Sequence, residues 1–410
     1  MRRWSGAILS WLIALALGWA GAPQVQARAA VLMDAETGQV LFAKNAHQPL
    51  PPASLTKIMT AIVALERCDL DAAVQASPRA VQAKASSMHL RVGEKVKVRD
   101  LLYALMLRSA NDAAVALAEH AAGSVEAFAD WMNQKAKTLG AKQTRFVNPH
   151  GLHDPRHVST AYDLALITRY AMQNETFRTI VKASYYIVER SMNQDDLWMV
   201  NKAKFLEQYA YAEGVKTGYT KPAGYCFAGS AYRDGRRLIT VVLNSPQRVA
   251  DTIALMEHGF NDWERVELPV GTVVGEAQVE EGVAAQTPLR LAQALRWVAP
   301  KAHRARYRWA VQAAPLRAPV QVGDPAGWLV VYRDEKPILK APVVAAEAVT
   351  QRREFPAGLG WVALGGVMMG IVSWRRARRR RRRQRMRVRL LHEPHASTRF
   401  PRTPRNESHG

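Results

Sequence analysis

A serine and a lysine three residues apart open the chemistry of this sequence. Pro51-Pro52-Ala53 halts an extended stretch, and Ser54-Leu55-Thr56-Lys57-Ile58-Met59 then begins a helical pattern. Ser54 therefore stands at a helix N-terminus, with Lys57 one turn later on the same face. A hydroxyl is a poor nucleophile until a neighbour takes its proton, and a lysine can do so only if burial or a second cation lowers its pKa. Alone, the pair has a plainer reading, because serine at a helix start is most often an N-cap. Two more clusters add weight. Arg108-Ser109-Ala110-Asn111-Asp112 falls near the start of another helical pattern, and Glu213-Gly214-Val215-Lys216-Thr217-Gly218-Tyr219-Thr220 falls in an extended run.

Ser-x-x-Lys, Ser-x-Asn and Lys-Thr-Gly in that order are the signature of penicilloyl-serine transferases. The chain resembles the low-molecular-mass penicillin-binding proteins that act as serine-type D-alanyl-D-alanine carboxypeptidases. The likeness extends over residues 53–61, over Phe146-Val147-Asn148-Pro149-His150-Gly151-Leu152 and the run from His157 to Ala165, over residues 216–226, and over Arg248-Val249-Ala250-Asp251-Thr252. It implies an acyl-enzyme on Ser54, formed from peptidoglycan stem pentapeptides ending in D-Ala-D-Ala, with Lys57 as general base and covalent inhibition by β-lactams. It implies that Ser109 relays a proton to the departing amine and that Asn111 holds the substrate peptide and the Lys57 ammonium. Lys216 and Thr217 would contact the terminal carboxylate, with Arg248 as a further charge, and Gly218 would leave room for the substrate backbone. The oxyanion hole would be the backbone N–H groups of Ser54 and Tyr219. Tyr219 departs from the histidine or smaller residue found in several relatives. No cofactor or metal is implied.

Elements able to position these groups can be read around them. Ala/Leu-rich helical patterns at 101–122 and 125–139 alternate with β-type runs at 30–42, folded about Glu36-Thr37-Gly38, and at 238–244. The expected fold class is α+β, a penicillin-binding/transpeptidase-like serine domain over residues 28–262. Val-rich short runs with turn residues then predict a small β-rich domain over 263–352, helical only around 289–297. Ahead of both, Arg2-Arg3 and an apolar core ending at Val25-Gln26-Ala27 read as a cleavable signal peptide over residues 1–27. Behind them, residues 355–374 carry no charge and meet six consecutive arginines, the pattern of a transmembrane helix with a cytoplasmic Arg-rich tail over 375–410. The protein is thus expected in the plasma membrane on a single C-terminal span, with its catalytic domain extracytoplasmic.

Charge and composition exclude other classes. The 410 residues carry 57 Lys plus Arg against 35 Asp plus Glu, a net +22 that invites a nucleic-acid partner. Residues 375–410, with 14 arginines, no lysine and two acids, hold +12 of it. The +10 left on the other 374 residues is no polyanion footprint, so no nucleic-acid partner is expected, and the tail reads as facing anionic lipid. The two cysteines, Cys68 and Cys226, cannot build a disulfide framework; they read as buried thiols, with a pairing left open. His150, His153, His157 and Asp154 are close enough for a metal site, but they fall in a Pro- and Gly-punctuated loop. A class A β-lactamase would need a water-activating glutamate loop between the second and third motifs, and no Glu-x-x-Leu-Asn occurs between Asn111 and Lys216. The remaining alternative is a catalytically quiet wall-binding scaffold, which the intact motifs disfavour.

Overall fold

The computed structural model describes residues 23–302, 307–353 and 367–381. Ala29–Asp34 is apolar at every position but the last, and all six residues are buried. Such a run suits a strand covered on both faces, because successive side chains point to opposite sides. Val31 and Met33 enter one core with residues of the helices Thr56–Arg67, Asn111–Ala122 and Ala161–Ala171, whereas Ala30 and Leu32 enter a second core with Leu255, Met256 and Phe260 of the helix Arg248–Asp262. The sheet between them has five antiparallel strands in the order Val40–Lys44, Ala29–Asp34, Arg236–Leu243, Gly224–Arg233, Ala212–Thr220. The strand bearing Lys216, Thr217 and Gly218 is therefore an edge, with one row of backbone groups free of sheet pairing.

The hairpin expected about residues 36–38 is present. Asp34 accepts from the backbone N–H and the hydroxyl of Thr37, both at 2.9 Å, and Gly38 takes the left-handed φ of +74°. The helical pattern over 101–122, by contrast, is not one helix. Val98–Tyr103 passes into a widened π-turn at Ala104–Arg108, Ser109 turns left-handed at φ +66°, and only then does Asn111–Ala122 begin. The apolar residues on both sides of the break face the same core, so the periodicity carries no mark of it. The break puts Ser109 between two helical segments and Asn111 at the first position of the second.

The helix Arg248–Asp262 ends the first domain, and Trp263–Leu268 starts the second by pairing with Leu295–Pro300. A six-stranded sheet follows, ordered Tyr307–Ala313, Pro325–Arg333, Lys336–Ala345, Gln286–Leu291, Val273–Glu280, Leu316–Arg317. The helix expected around 289–297 is absent: Gln286–Leu291 and Leu295–Pro300 are strands. Burial of Thr287, Leu289 and Leu291 alternates with partial exposure between them, the period of two that a short apolar run conceals. The domains are joined at the first hairpin, where Arg265 and Arg296 pair with Glu36, and Gln39 exchanges hydrogen bonds with the backbone of Val298. Cys68 and Cys226 are both free, and Cys226 is buried.

Most of the leader segment lies outside the described residues, but its expected end does not. Val25 and Ala27 are buried in the second core. The N–H groups of Gln26 and Ala27 donate to the two oxygens of Asp251, at 3.0 and 2.8 Å, and Lys44 donates to the Val25 carbonyl at 2.7 Å. The packed chain thus reaches ahead of Arg28, to Val25. Of the hydrophobic segment 355–374, the part up to 366 is outside the described residues; from Val367 an exposed helix runs to Arg381. Among the described residues no helix is long and apolar enough to cross a membrane. If a leader is cleaved from the chain, the packing of Val25 to Ala27 requires the cut to fall upstream of Val25, which N-terminal sequencing of the mature chain checks. A chain started at Arg28 should lose about 2–4 kcal/mol in urea unfolding, since it removes two of the three hydrogen-bond partners of the Asp251 carboxylate and two buried side chains.

Candidate active site

Ser54 sits in a single 3₁₀ turn, Ala53–Leu55, that runs straight into the helix Thr56–Arg67. Ala53 holds φ +49°, a left-handed conformation that costs a non-glycine residue about 1 kcal/mol or more. The surroundings fix it. Thr56 Oγ1 donates to the Ala53 carbonyl at 2.8 Å and lies 2.8 Å from His157 Nε2. His157 Nδ1 accepts from the Val147 N–H at 3.1 Å, so the imidazole carries its proton on Nε2 and donates it to Thr56. Burial pushes the His157 pKa down to about 4, keeping the ring neutral. Gly151 closes the other side: at φ +84°, a Cβ there would stand 1.9 Å from the Ala53 oxygen. Only glycine allows that loop against the turn.

The Lys57 ammonium position is wholly buried and has three neighbours: Ser54 Oγ at 3.2 Å, Asn111 Oδ1 at 2.6 Å and the His150 carbonyl at 2.6 Å. A neutral amine has two hydrogens and one lone pair. Two hydrogens satisfy Asn111 and His150, which leaves the lone pair for the Ser54 hydroxyl. Burial is the main cause of a Lys57 pKa held well below the ordinary lysine range; the Lys216 charge adds to the depression, Asp112 opposes it, and Lys202 contributes last. Lys216, equally buried on the edge strand, is pushed down to about 7 by burial and by Lys202 and Arg248.

The wall that carries Asn111 is cinched from behind. Its side-chain amide donates to the Lys84 carbonyl at 2.6 Å, and its backbone N–H donates to Ser86 at 2.7 Å. Asp112, wholly buried, accepts from the Ser87 hydroxyl and from the N–H groups of Met88 and Leu90. Ser109, buried at the left-handed turn just before, belongs to the same wall.

Facing it, the edge strand meets the nucleophile turn at Gly218, where a Cβ would lie 3.2 Å from the Ser54 nitrogen. The strand backbone at Gly218 thus runs directly against the nucleophile turn. Tyr219 is exposed and its ring lies 4.7 Å from that of Tyr225; the Arg248 guanidinium is 4.8 Å from the Tyr225 ring. Ser54 and Asn111 each contact Lys57, Gly218 abuts the Ser54 turn, Lys216 reaches Lys57 through charge, and Arg248 reaches Lys216 in the same way. Thr217 follows Lys216 on the strand, half-buried.

Sequence reasoning about the three motifs did not assign the His150 carbonyl, the His157–Thr56 link, Asp112 or Lys202. The first two fall in the runs that carry the family likeness, Phe146 to Leu152 and His157 to Ala165, so their signal was present without its meaning. Of the histidines weighed as metal ligands, His157 serves as a buried hydrogen-bond relay and His150 supplies a backbone acceptor. If neutral Lys57 is the proton acceptor, the acylation rate rises with pH through a group titrating far below an ordinary lysine. Asn111→Asp adds a negative charge beside Nζ, favours the ammonium and should move that rising limb about one to three pH units higher; stopped-flow acylation by a penicillin across pH measures it.

Comparison with known proteins places this geometry. Residues 18–247 match the peptidase S11 family model, D-alanyl-D-alanine carboxypeptidase, and residues 268–351 match the model of the penicillin-binding protein 5 C-terminal domain. The D-alanyl-D-alanine carboxypeptidase DacF of Bacillus subtilis is 32% identical over 78% of this chain and 85% of its own length. The DacD carboxypeptidase of Escherichia coli is 32% identical over 81% of this chain and 89% of its own. Penicillin-binding protein 5 of Haemophilus influenzae superposes with a TM-score of 0.68 at 30% identity, covering 80% of this chain and 99% of that structure. With a serine-lysine-asparagine cluster at the edge of a five-stranded sheet, and a β-rich unit behind it, the chain belongs to the D-alanyl-D-alanine carboxypeptidase family S11.

Proposed function

We propose that this carboxypeptidase works by acyl transfer through Ser54, removing the terminal D-alanine of peptidoglycan stem pentapeptides. The observation that carries the reading is the set of three contacts at Lys57 Nζ, which satisfies a neutral amine and leaves its lone pair for the Ser54 proton. Ser54 Oγ attacks the carbonyl carbon of the penultimate D-alanine while its proton passes to Lys57. The carbonyl oxygen becomes an oxyanion in front of the Ser54 and Tyr219 N–H groups, which are fixed in place before the reaction. Collapse breaks the peptide bond; the departing amine takes a proton through Ser109, and D-alanine leaves. Water then attacks the ester, giving its proton to Lys57, and the shortened peptide is released with Ser54 restored.

Substrate binding follows the same layout. The peptide lies along the free edge of Ala212–Thr220, Asn111 binds its backbone from the opposite wall, and Lys216, Thr217 and Arg248 receive the terminal carboxylate. A β-lactam carries an amide carbonyl and a carboxylate at similar spacing, so it acylates Ser54 and blocks the site. The reading extends to location. An uncharged stretch over 355–374 followed by six arginines anchors the chain by a C-terminal membrane helix, with the Arg-rich tail cytoplasmic and the catalytic domain outside, where the wall peptide is.

Ser54→Ala should lower D-alanine release from diacetyl-Lys-D-Ala-D-Ala by about 10³-fold or more and abolish covalent labelling by a fluorescent penicillin. Labelling that persists in this variant refutes Ser54 as the nucleophile. A chain ended at Arg353 should leave the membrane fraction with its activity on the soluble peptide intact; retention at the membrane would refute the anchor.

A further inference from the structure

The carboxylate end of the cleft is completed by side chains outside the three motifs. Arg248 opens the helix Arg248–Asp262, and its guanidinium carbon stands 4.8 Å from the centre of the Tyr225 ring. Tyr225 is paired in register with Tyr219 across the edge hairpin, and their rings lie 4.7 Å apart at 35°. A cation and two aromatic rings are thus layered from the start of the helix to the residue after Gly218. Both rings are about half exposed, at 46% and 55%, so they fill no core. Arg248 Nε is buried without a hydrogen-bond partner among the described residues. Asp251, one turn further along the helix, is occupied by Gln26, Ala27 and Ser245. What holds the guanidinium toward the cleft is therefore the ring face beneath it.

An arginine side chain has about 2 kcal/mol of rotamer entropy to lose, and a cation over an aromatic face gains about 0.5–2 kcal/mol depending on desolvation. The two are comparable, so the ring decides how often the guanidinium stands ready for a substrate carboxylate. We propose that Tyr225, backed by Tyr219, is a positioning residue that holds Arg248 over the carboxylate end of the cleft and so makes the enzyme select peptides with a free C-terminal carboxylate. The inference rests on the function proposed above, in which Arg248 receives that carboxylate.

The test compares diacetyl-Lys-D-Ala-D-Ala with its C-terminal amide, using full-length protein and the variants Tyr225→Leu, Tyr225→Phe, Arg248→Gln and the double variant Tyr225→Leu/Arg248→Gln. Labelling by a fluorescent penicillin at saturating concentration reports that each variant is folded; if Tyr225→Leu fails it, Tyr225→Met, also without a ring face, takes its place. Loss of the ring should raise KM for the acid about five- to tenfold. It should leave kcat within twofold and the slower turnover of the amide unchanged. Tyr225→Phe, which keeps the ring, should restore KM, and the double variant should be no worse than Arg248→Gln alone. Equal losses on acid and amide, or losses that multiply in the double variant, overturn the proposal. Failure of the underlying function is distinguishable, because the unmodified protein would then release no D-alanine from the acid.

Discussion

Two lysines share one buried cleft, and most of the site is a consequence of that. A buried ammonium is costly, and two are costlier still, so the cheapest state of the pair has at least one of them neutral. Lys57 is the better candidate because its surroundings fit an amine: two acceptors at 2.6 Å and a hydroxyl at 3.2 Å. Among the described residues Lys216 donates to the neighbouring Thr217 carbonyl alone, at 3.1 Å, which leaves donors over for an anion. One lysine is thereby prepared to accept a proton and the other to meet an anion. The division arises from placement, since the residue types are the same.

That placement depends on backbone that is held from outside the motifs. The left-handed Ala53 that presents Ser54 is stabilised through Thr56, His157 and the Val147 N–H, and by the glycine at 151 that alone fits against it. Asn111 is held by the 84–86 carbonyls and by Asp112 cinching the next residues of that loop. The loop that supplies the His150 carbonyl to Lys57 also supplies Gly151 to the nucleophile turn. A shift of this loop would disturb base and nucleophile together, and reacting groups must hold position to well under 1 Å to be effective.

The fold and the chemical core of the site were legible because they are written in residue type and local spacing. Ser54 and Lys57 are one helical turn apart, the hairpin at 36–38 carries its own turn chemistry, and the Val-rich second half alternates as strands do. What escaped is set by tertiary context. The π-turn and left-handed Ser109 interrupt a helix whose apolar pattern continues unbroken, because both halves face one core. Gln286–Leu291 was too short a run to separate strand from helix by periodicity. The His150 carbonyl is a backbone group, and no residue type announces it. The packing of Val25-Gln26-Ala27 beside Asp251 is likewise a tertiary contact that the leader-like residue types do not announce.

The net charge of +22 is instructive for the same reason: its meaning depends on where it sits. More than half belongs to residues 375–410, where fourteen arginines follow an uncharged stretch. Within the folded part, several cations are paired, as in Arg79–Glu126, Arg237–Glu213 and Arg308–Glu335. In the cleft the cations act on one another: Lys202 and Arg248 on Lys216, Lys216 and Lys202 on Lys57, with Asp112 opposing them at Lys57. A local excess of positive charge at a partly desolvated edge strand gives a carboxylate-ended peptide a larger electrostatic gain than the same charges would on an open surface. The positive charge of the folded domain that bears on function is therefore that of Lys216, Lys202 and Arg248 beside a neutral Lys57.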